Sequence, residues 1–224
     1  MVLRHVSRRD KQNREATKRG GKGAHFMGQQ QQTTHNGAKK GLVITVSGPH
    51  GSGKSTYAKA IAESLDLRYV CAGAIFRQMA KERGMSLEDF GVLAAKDQQI
   101  DVLIDERTRR EAEAGRVVID AQLAAWIVDG SADVKLLLVA PDEVRYERIA
   151  DREGIPTSTA AEETMAREMI QRERYKRYYN IDVDDLTIYD LKIDTSLTSV
   201  EQTKANVVEA VKRLLADKSF TLNR

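Results

Sequence analysis

Residues 48–56 read Gly-Pro-His-Gly-Ser-Gly-Lys-Ser-Thr and satisfy the pattern G-x-x-x-x-G-K-[ST]. A polyphosphate needs many N–H donors converging on one point, closer than a Cβ would permit, and Gly48, Gly51 and Gly53 allow that approach. Lys54 can then reach the outer phosphates and the Ser55 hydroxyl can ligate Mg²⁺, with His50, Ser52 and Thr56 completing the loop. The competing reading is a Gly-rich turn that binds nothing, which makes no demand on its flanks. Here residues 42–47 are mostly β-branched or apolar and read as a strand buried on both faces. Residues 58–65 have helical spacing and strong helix formers, so the loop sits between a strand and a helix N-terminus, the context an anion site requires.

Other residues able to do chemistry recur at the ends of predicted elements. Residues 117–120, Val-Val-Ile-Asp, form an apolar strand closing on a carboxylate, and ligands of parallel sheets bind at the carboxyl ends of strands. Asp120 is therefore placed to orient the water shell of a Mg²⁺ held by Ser55; a surface turn aspartate is the alternative. Residues 135–140 read as the next buried strand, and Pro141-Asp142 opens a helix. Arg148 and Arg152 lie i, i+4 on that helix and share a face, where two guanidinium groups can stabilise charge on a transferring phosphoryl group. Arg167 and Arg174, seven apart on a helix predicted over 161–179, again share a face; a solvated charged face has the same appearance.

The elements that must position these groups follow from the remaining pattern. Residues 67–71 read as a short strand, and Ala72-Gly73-Ala74 as the turn into a helix that contains Ile75, Phe76, Met79 and Ala80 and ends at Gly84. Ser86 is an N-cap for the next helix, and a further helix over 98–114 puts Ile100, Leu103, Ile104 and Thr108 on one side, with Gly115 as its stop. Residues 187–193 read as the last strand, and Ser199 opens a final amphipathic helix with Val207, Val208, Val211, Leu214 and Leu215 inward. Strands alternating with helices predict an α/β fold: a parallel five-stranded sheet covered on both faces, forming a phosphate-loop kinase core with an Arg-rich helical lid over about 142–182. Trp126 and the phenylalanines read as core.

Composition bounds the rest. The 224 residues suffice for one α/β domain, over residues 42–224, with an appendage. Charged residues make up 31% and aromatics 5%, and no apolar run approaches the roughly 18 residues that a membrane span needs, so a soluble, cytoplasmic protein without membrane contact is expected. The single cysteine, Cys71, excludes an internal disulfide and reads as a small buried hydrophobe. The net charge of +3 conceals an asymmetry: residues 1–41 hold ten Lys/Arg against Asp10 and Glu15, leaving the remainder net acidic. That segment, with its Gly and Gln runs, cannot offset its ordering entropy and is expected to be disordered. A basic arm touching nucleic acid, a targeting sequence and a plain extension are its three possible meanings.

Taken together, VSGPHGSGKST, YVCAGAIFR, AKERGMSLEDF, IDERT, RIADREG and RYKRYYNIDVDDLTIYDL before IDTS resemble the archaeal-type cytidylate kinases, a branch of the nucleoside monophosphate kinases, over residues 42 to about 215. The resemblance implies strand order 2-3-1-4-5, ATP as donor, Mg²⁺, and a nucleoside monophosphate as acceptor, CMP or dCMP first. It further implies that Arg77 and Arg107 hold the acceptor phosphate, that Arg148 and Arg152 are lid arginines, that Arg167 and Arg174 bridge the phosphates, and that the backbone around Thr195 lies beside adenine. Three departures fall on the acceptor side. Gln122 stands where the family pattern has Arg, Gln171 where it has a carboxylate suited to the cytosine amino group, and Ala74 where many members are acidic. Two other readings stay open: a kinase with another acceptor (AMP, UMP or a non-nucleotide), and a nucleotide-binding protein whose basic tail docks on RNA.

Overall fold

Val43, Ile44 and Val46 are fully buried, which a strand can achieve only in the middle of a sheet covered on both faces. In the computed structural model, which describes residues 41–222 and side chains as far as residue 218, this strand is β1 (Val43–Ser47). With β2 (Arg68–Cys71), β3 (Val117–Asp120), β4 (Val134–Val139) and β5 (Leu191–Asp194) it forms a parallel sheet of order β2-β3-β1-β4-β5. Register pairs Val46 with both Asp120 and Leu136, so the carboxyl ends of the three central strands share one edge. Among the described residues there are eight α-helices: α1 (Lys54–Ser64), α2 (Ala72–Glu82), α3 (Leu87–Ala94), α4 (Gln98–Ala114), α5 (Ala124–Ile127), α6 (Asp142–Glu153), α7 (Thr157–Tyr179) and α8 (Val200–Leu222).

The period-2 alternation of the strands separates two cores. Ile44, Val46, Val118, Leu136 and Leu138 face α1 and α8, where Ile61, Val207, Val211 and Leu214 meet them. Val43, Val117 and Ile119 face Ala112 of α4 and Ala124 of α5 on the opposite side. A third cluster, Ala80, Phe90, Ile100 and Ile104, joins α2, α3 and α4 into a separate lobe above the sheet edge. The α6–α7 hairpin closes on Ile149, Ala150 and Ala160, and turns at Gly154, whose φ of 68° suits glycine.

Several expected elements are revised. The last strand begins at Leu191, not 187, because Asp185 caps Thr187 N and winds residues 186–188 into a 3₁₀ turn that buries Tyr189 edge-on against Trp126. Helix α7 begins at Thr157, behind Pro156, one turn earlier than its apolar period indicates. Leu103 is 54% exposed; the inward face of α4 is instead Ile100, Asp101, Ile104, Asp105, Thr108 and Ala112. Cys71 is half-buried rather than core, because β2 is an edge strand and its last residue opens on the cleft. No helix of the described residues is long and apolar enough to cross a membrane. The expectations for residues 1–40 lie outside the described residues.

Candidate active site

The carboxyl edge of the sheet opens into a cleft of roughly 1090 Å³ that runs from the loop after β1 to the α2–α4 lobe, with α7 above it. At one end stands the loop. Gly51 and Gly53 have φ of 75° and 85°, left-handed values that a side chain would strain, and a Cβ on Gly48 would collide with Leu138 O. No side chain caps α1, so the first-turn N–H groups behind Gly53 face the cleft as an anion site. Lys54 folds back to donate to Pro49 O at 2.8 Å. Burial pulls the Lys54 ammonium below its ordinary range, and Asp120 and Glu168 oppose that pull.

Beside the loop, Ser55 Oγ donates to Asp120 Oδ2 at 2.6 Å, and Tyr69 OH donates to the same oxygen at 2.9 Å. The strand end and the helix start thus bring a hydroxyl and a carboxylate together, two hard oxygen ligands suited to a small divalent cation. Among the described residues no three His, Cys, Asp or Glu side chains form a metal cluster by themselves, so phosphate and water oxygens would have to complete any such shell.

The loop is fastened from three sides. His50 N donates to Glu168 Oε1 at 3.0 Å, and the His50 ring lies 3.0 Å from Gln171 Oε1, both on α7. Burial first, then Lys54, drives the His50 imidazole down to about 3, so it is neutral at pH 7. Arg145 of α6, 3% exposed, donates to His50 O at 2.7 Å and pairs with Glu168 and Asp142 at 2.8 and 2.7 Å. Thr195, fully buried, donates to Ser52 O at 3.0 Å, while Arg148 donates to Thr195 Oγ1, Thr195 O and Gly51 O. Thr195 therefore supports the loop from behind, and its side chain does not face the cleft as a ligand group would.

At the inner end the polar groups are side chains. Arg174, 3% exposed, lies with Nε 3.0 Å from Asp101 Oδ2. Its guanidinium lies 5.8 Å from the centre of the Phe76 ring and 5.4 Å from that of Tyr175. Tyr179 OH donates to Asp105 Oδ2 at 2.5 Å, and Tyr175 OH donates to Gln122 Oε1 at 3.4 Å. Burial pushes Asp101 up to about 6, partly offset by Arg174, and raises Asp105 as well.

Of the residues singled out from the sequence, Lys54, Ser55, Thr56, Asp120, Arg148, Arg152, Arg167, Arg174, Arg77, Gln122 and Gln171 all line this one cleft. Gly48 and Ser52 sit behind the loop as structure, Ser52 with no exposure. One expectation is corrected. Arg107 is exposed and pairs with Glu111 at 3.1 Å, because it lies about 100° round α4 from the middle of the buried face. Gln171, on the stretch of α7 that passes over the loop, is engaged by His50 at 3.0 Å while it lines the cleft. The sequence reading missed Asp101, Asp105 and Tyr179. The signal available was two carboxylates at i, i+4 within an apolar helix face, a placement too costly to be accidental.

A family model described as the cytidylate kinase-like family matches residues 43–197. The cytidylate kinase of Staphylothermus marinus is 47% identical over 176 residues, covering 79% of this chain and 99% of the relative. That of Aeropyrum pernix is 51% identical over 168 residues, covering 75% and 98%. Among solved structures, a gluconokinase from Sinorhizobium meliloti matches with a TM-score of 0.53 at 17% identity, over 81% of this chain and 97% of that one, a likeness of fold alone. A nucleotide-type phosphate loop, a cleft shared by loop and arginines, and relatives near half identical over nearly their whole length agree: the chain belongs to the cytidylate kinase-like family and is a nucleoside monophosphate kinase.

Proposed function

We propose that this enzyme transfers the γ-phosphoryl group of ATP to CMP or dCMP, with Mg²⁺. The observation that carries the reading is the single cleft, with an anion-binding loop at one end and a side-chain pocket at the other, since in-line transfer needs donor and acceptor phosphates to meet in one space. The relatives named above carry the name cytidylate kinase, which supports CMP as the acceptor.

In this reading an acceptor phosphate oxygen attacks the γ-phosphorus, the bond from that phosphorus to the bridging oxygen breaks, and ADP leaves with the electron pair. The first turn of α1 and Lys54 hold the donor phosphates, Lys54 exchanging Pro49 O for a phosphate oxygen. Ser55 and Asp120 fit Mg²⁺, which when bound neutralises charge on the phosphates. Of the arginines that line the cleft, Arg77 holds the acceptor phosphate, Arg167 bridges the phosphates, and Arg152 screens the transferring group. Residues 142–182 act as the lid that excludes water.

ADP production from ATP and Mg²⁺, with CMP, dCMP, UMP, AMP and GMP supplied singly, tests the reading. CMP- or dCMP-dependent turnover well above the others is expected. Preference for another acceptor refutes the substrate, and no turnover with any of them refutes the reaction.

A further inference from the structure

Both backbone polar groups of His50 are gripped by one ion pair that comes from outside the phosphate loop. Glu168 Oε1 of α7 accepts from His50 N at 3.0 Å, and Arg145 Nη1 of α6 donates to His50 O at 2.7 Å. The two side chains also hold each other, with Arg145 Nη1 donating to Glu168 Oε1 at 2.8 Å and Nη2 to Oε2 at 3.3 Å. A trans peptide is planar, with the carbonyl of one residue and the N–H of the next pointing opposite ways. Drawing His50 O toward α6 therefore turns the Gly51 N–H away from α6, to the side of the cleft that Gly51 lines. The same relation recurs two residues on: Thr195 donates to Ser52 O at 3.0 Å, which turns the Gly53 N–H. The N–H groups of His50 and Ser52 are already bonded, to Glu168 and to Pro49 O, while those of Gly51 and Gly53 find no acceptor among the described residues. Alternate N–H groups of the loop are thus left for an anion. The contact with α6 is close, since a Cβ on Gly51 would meet Arg145 O at 2.5 Å. A bare carboxylate beside the loop would repel a polyphosphate, and Arg145 cancels that charge.

We propose that Arg145 and Glu168 are positioning residues for the donor: as an ion pair gripping both polar groups of His50, they aim the Gly51 N–H at the donor phosphates and so set the affinity for ATP. This rests on the reading of the loop as the donor site. Neither side chain need touch the nucleotide; each acts through the His50–Gly51 peptide. Because the two come from the two helices of the lid, the packing of α6 on α7 and the shape of the anion cradle are one adjustment. The loop pattern supplies glycines that permit the conformation, and the lid pair selects it.

The test titrates ATP binding and measures the KM for the acceptor in Glu168→Ala, Glu168→Gln and Arg145→Lys, each shown folded by its melting transition. Glu168→Ala is expected to raise the Kd for ATP by at least about 10-fold while the acceptor KM moves less than about 3-fold. Glu168→Gln keeps an oxygen for the His50 N–H and is expected to stay within about 3-fold of the wild type. Arg145→Lys keeps the charge but not the planar fork that spans His50 O and Glu168, and a rise of about 10-fold is expected. A pair that merely ties α6 to α7 would weaken donor and acceptor alike. Equal losses on both sides, no recovery from alanine to glutamine at 168, or an ATP Kd within about 2-fold of the wild type in both Glu168→Ala and Arg145→Lys overturns the assignment. If those variants do not fold, amide resonances of the wild type decide. Addition of ADP is expected to move the Gly51 and Gly53 amide protons to lower field, as hydrogen bonds to phosphate do, and to leave the His50 amide near its place. A His50 amide that moves as far as that of Gly51, or a Gly51 amide that stays, overturns the assignment. Wild-type enzyme that binds neither ATP nor ADP overturns the donor-site reading, and the assignment falls with it.

Discussion

At the loop end of the cleft the binding groups come from nine consecutive residues and are largely backbone: N–H groups of a helix start and the glycines that let a ligand approach them. At the inner end the lining is made by side chains of α2, α4 and α7, among them Phe76, Asp101, Asp105 and Arg174. A backbone site changes little when side chains are exchanged, because its geometry is set by φ and ψ and by the helix dipole. A side-chain site is reset by one substitution. On the reading proposed above, this division lets one scaffold keep its donor chemistry while its acceptor pocket varies, and the departures from the family pattern at Gln122 and Ala74 both lie outside the loop.

The comparison can be broken first at its one indispensable side chain on the loop side. Lys54→Ala is expected to lower kcat by about 10³-fold or more, because it removes the cation facing the transferred phosphate, while α1 still binds the donor. Steady-state kinetics beside a nucleotide-binding titration checks it, and near wild-type turnover would show that the loop is not the donor site.

A second test uses acid, to which the two ends respond with opposite sign. His50 is held down to about 3 from 6.5, so the unfolded chain takes up a proton that the folded one refuses; stability present above about pH 6.5 is lost as the pH falls. Asp101 is raised from 3.8 to about 6, so its folded form takes up a proton first; that stability is fully present below about 3.8 and lost as pH rises through 6. Urea unfolding at pH 8 and pH 5 is expected to show His50→Gln gaining about 1–2 kcal/mol on the wild type upon acidification, after allowance for partial exposure, and Asp101→Asn losing about 1 kcal/mol. Shifts of the same sign in both variants would contradict the description of the two environments.

The smallest effect belongs to Arg107. Its exposed pair with Glu111 predicts that Arg107→Ala changes stability by less than about 0.5 kcal/mol and the acceptor KM by less than about 2-fold. A 10-fold rise in KM would return this arginine to the acceptor phosphate.

The same division decides what was legible beforehand. The loop, the strand before it, the helix behind it and Asp120 at the end of β3 are local patterns, readable because glycine spacing and strand hydrophobicity are fixed by neighbours in sequence. Sheet order followed from the family resemblance. The inner pocket was not legible, because it depends on how α4 is rotated against α7. The stripe of Ile100, Leu103, Ile104 and Thr108 centres near Ile100, but burial centres between Ile104 and Asp105, where Arg174 and Tyr179 stand beside the carboxylates. Arg107 was misplaced for the same reason: a motif match transfers a residue's identity, not its azimuth on a helix.

Arg145 carries a consequence for how the molecule opens. Its buried guanidinium ties the first turn of α6, the middle of α7 and the carbonyl of His50 into one knot, with Asp142 at its exposed side. Amide protons of the phosphate loop and of the α6–α7 base it joins are therefore expected to exchange with solvent as one unit, and those of the hairpin tip around Gly154, exposed and beyond the knot, separately. On the reading proposed above, hydrogen exchange at the hairpin tip is expected to be faster than, and independent of, exchange at the phosphate loop.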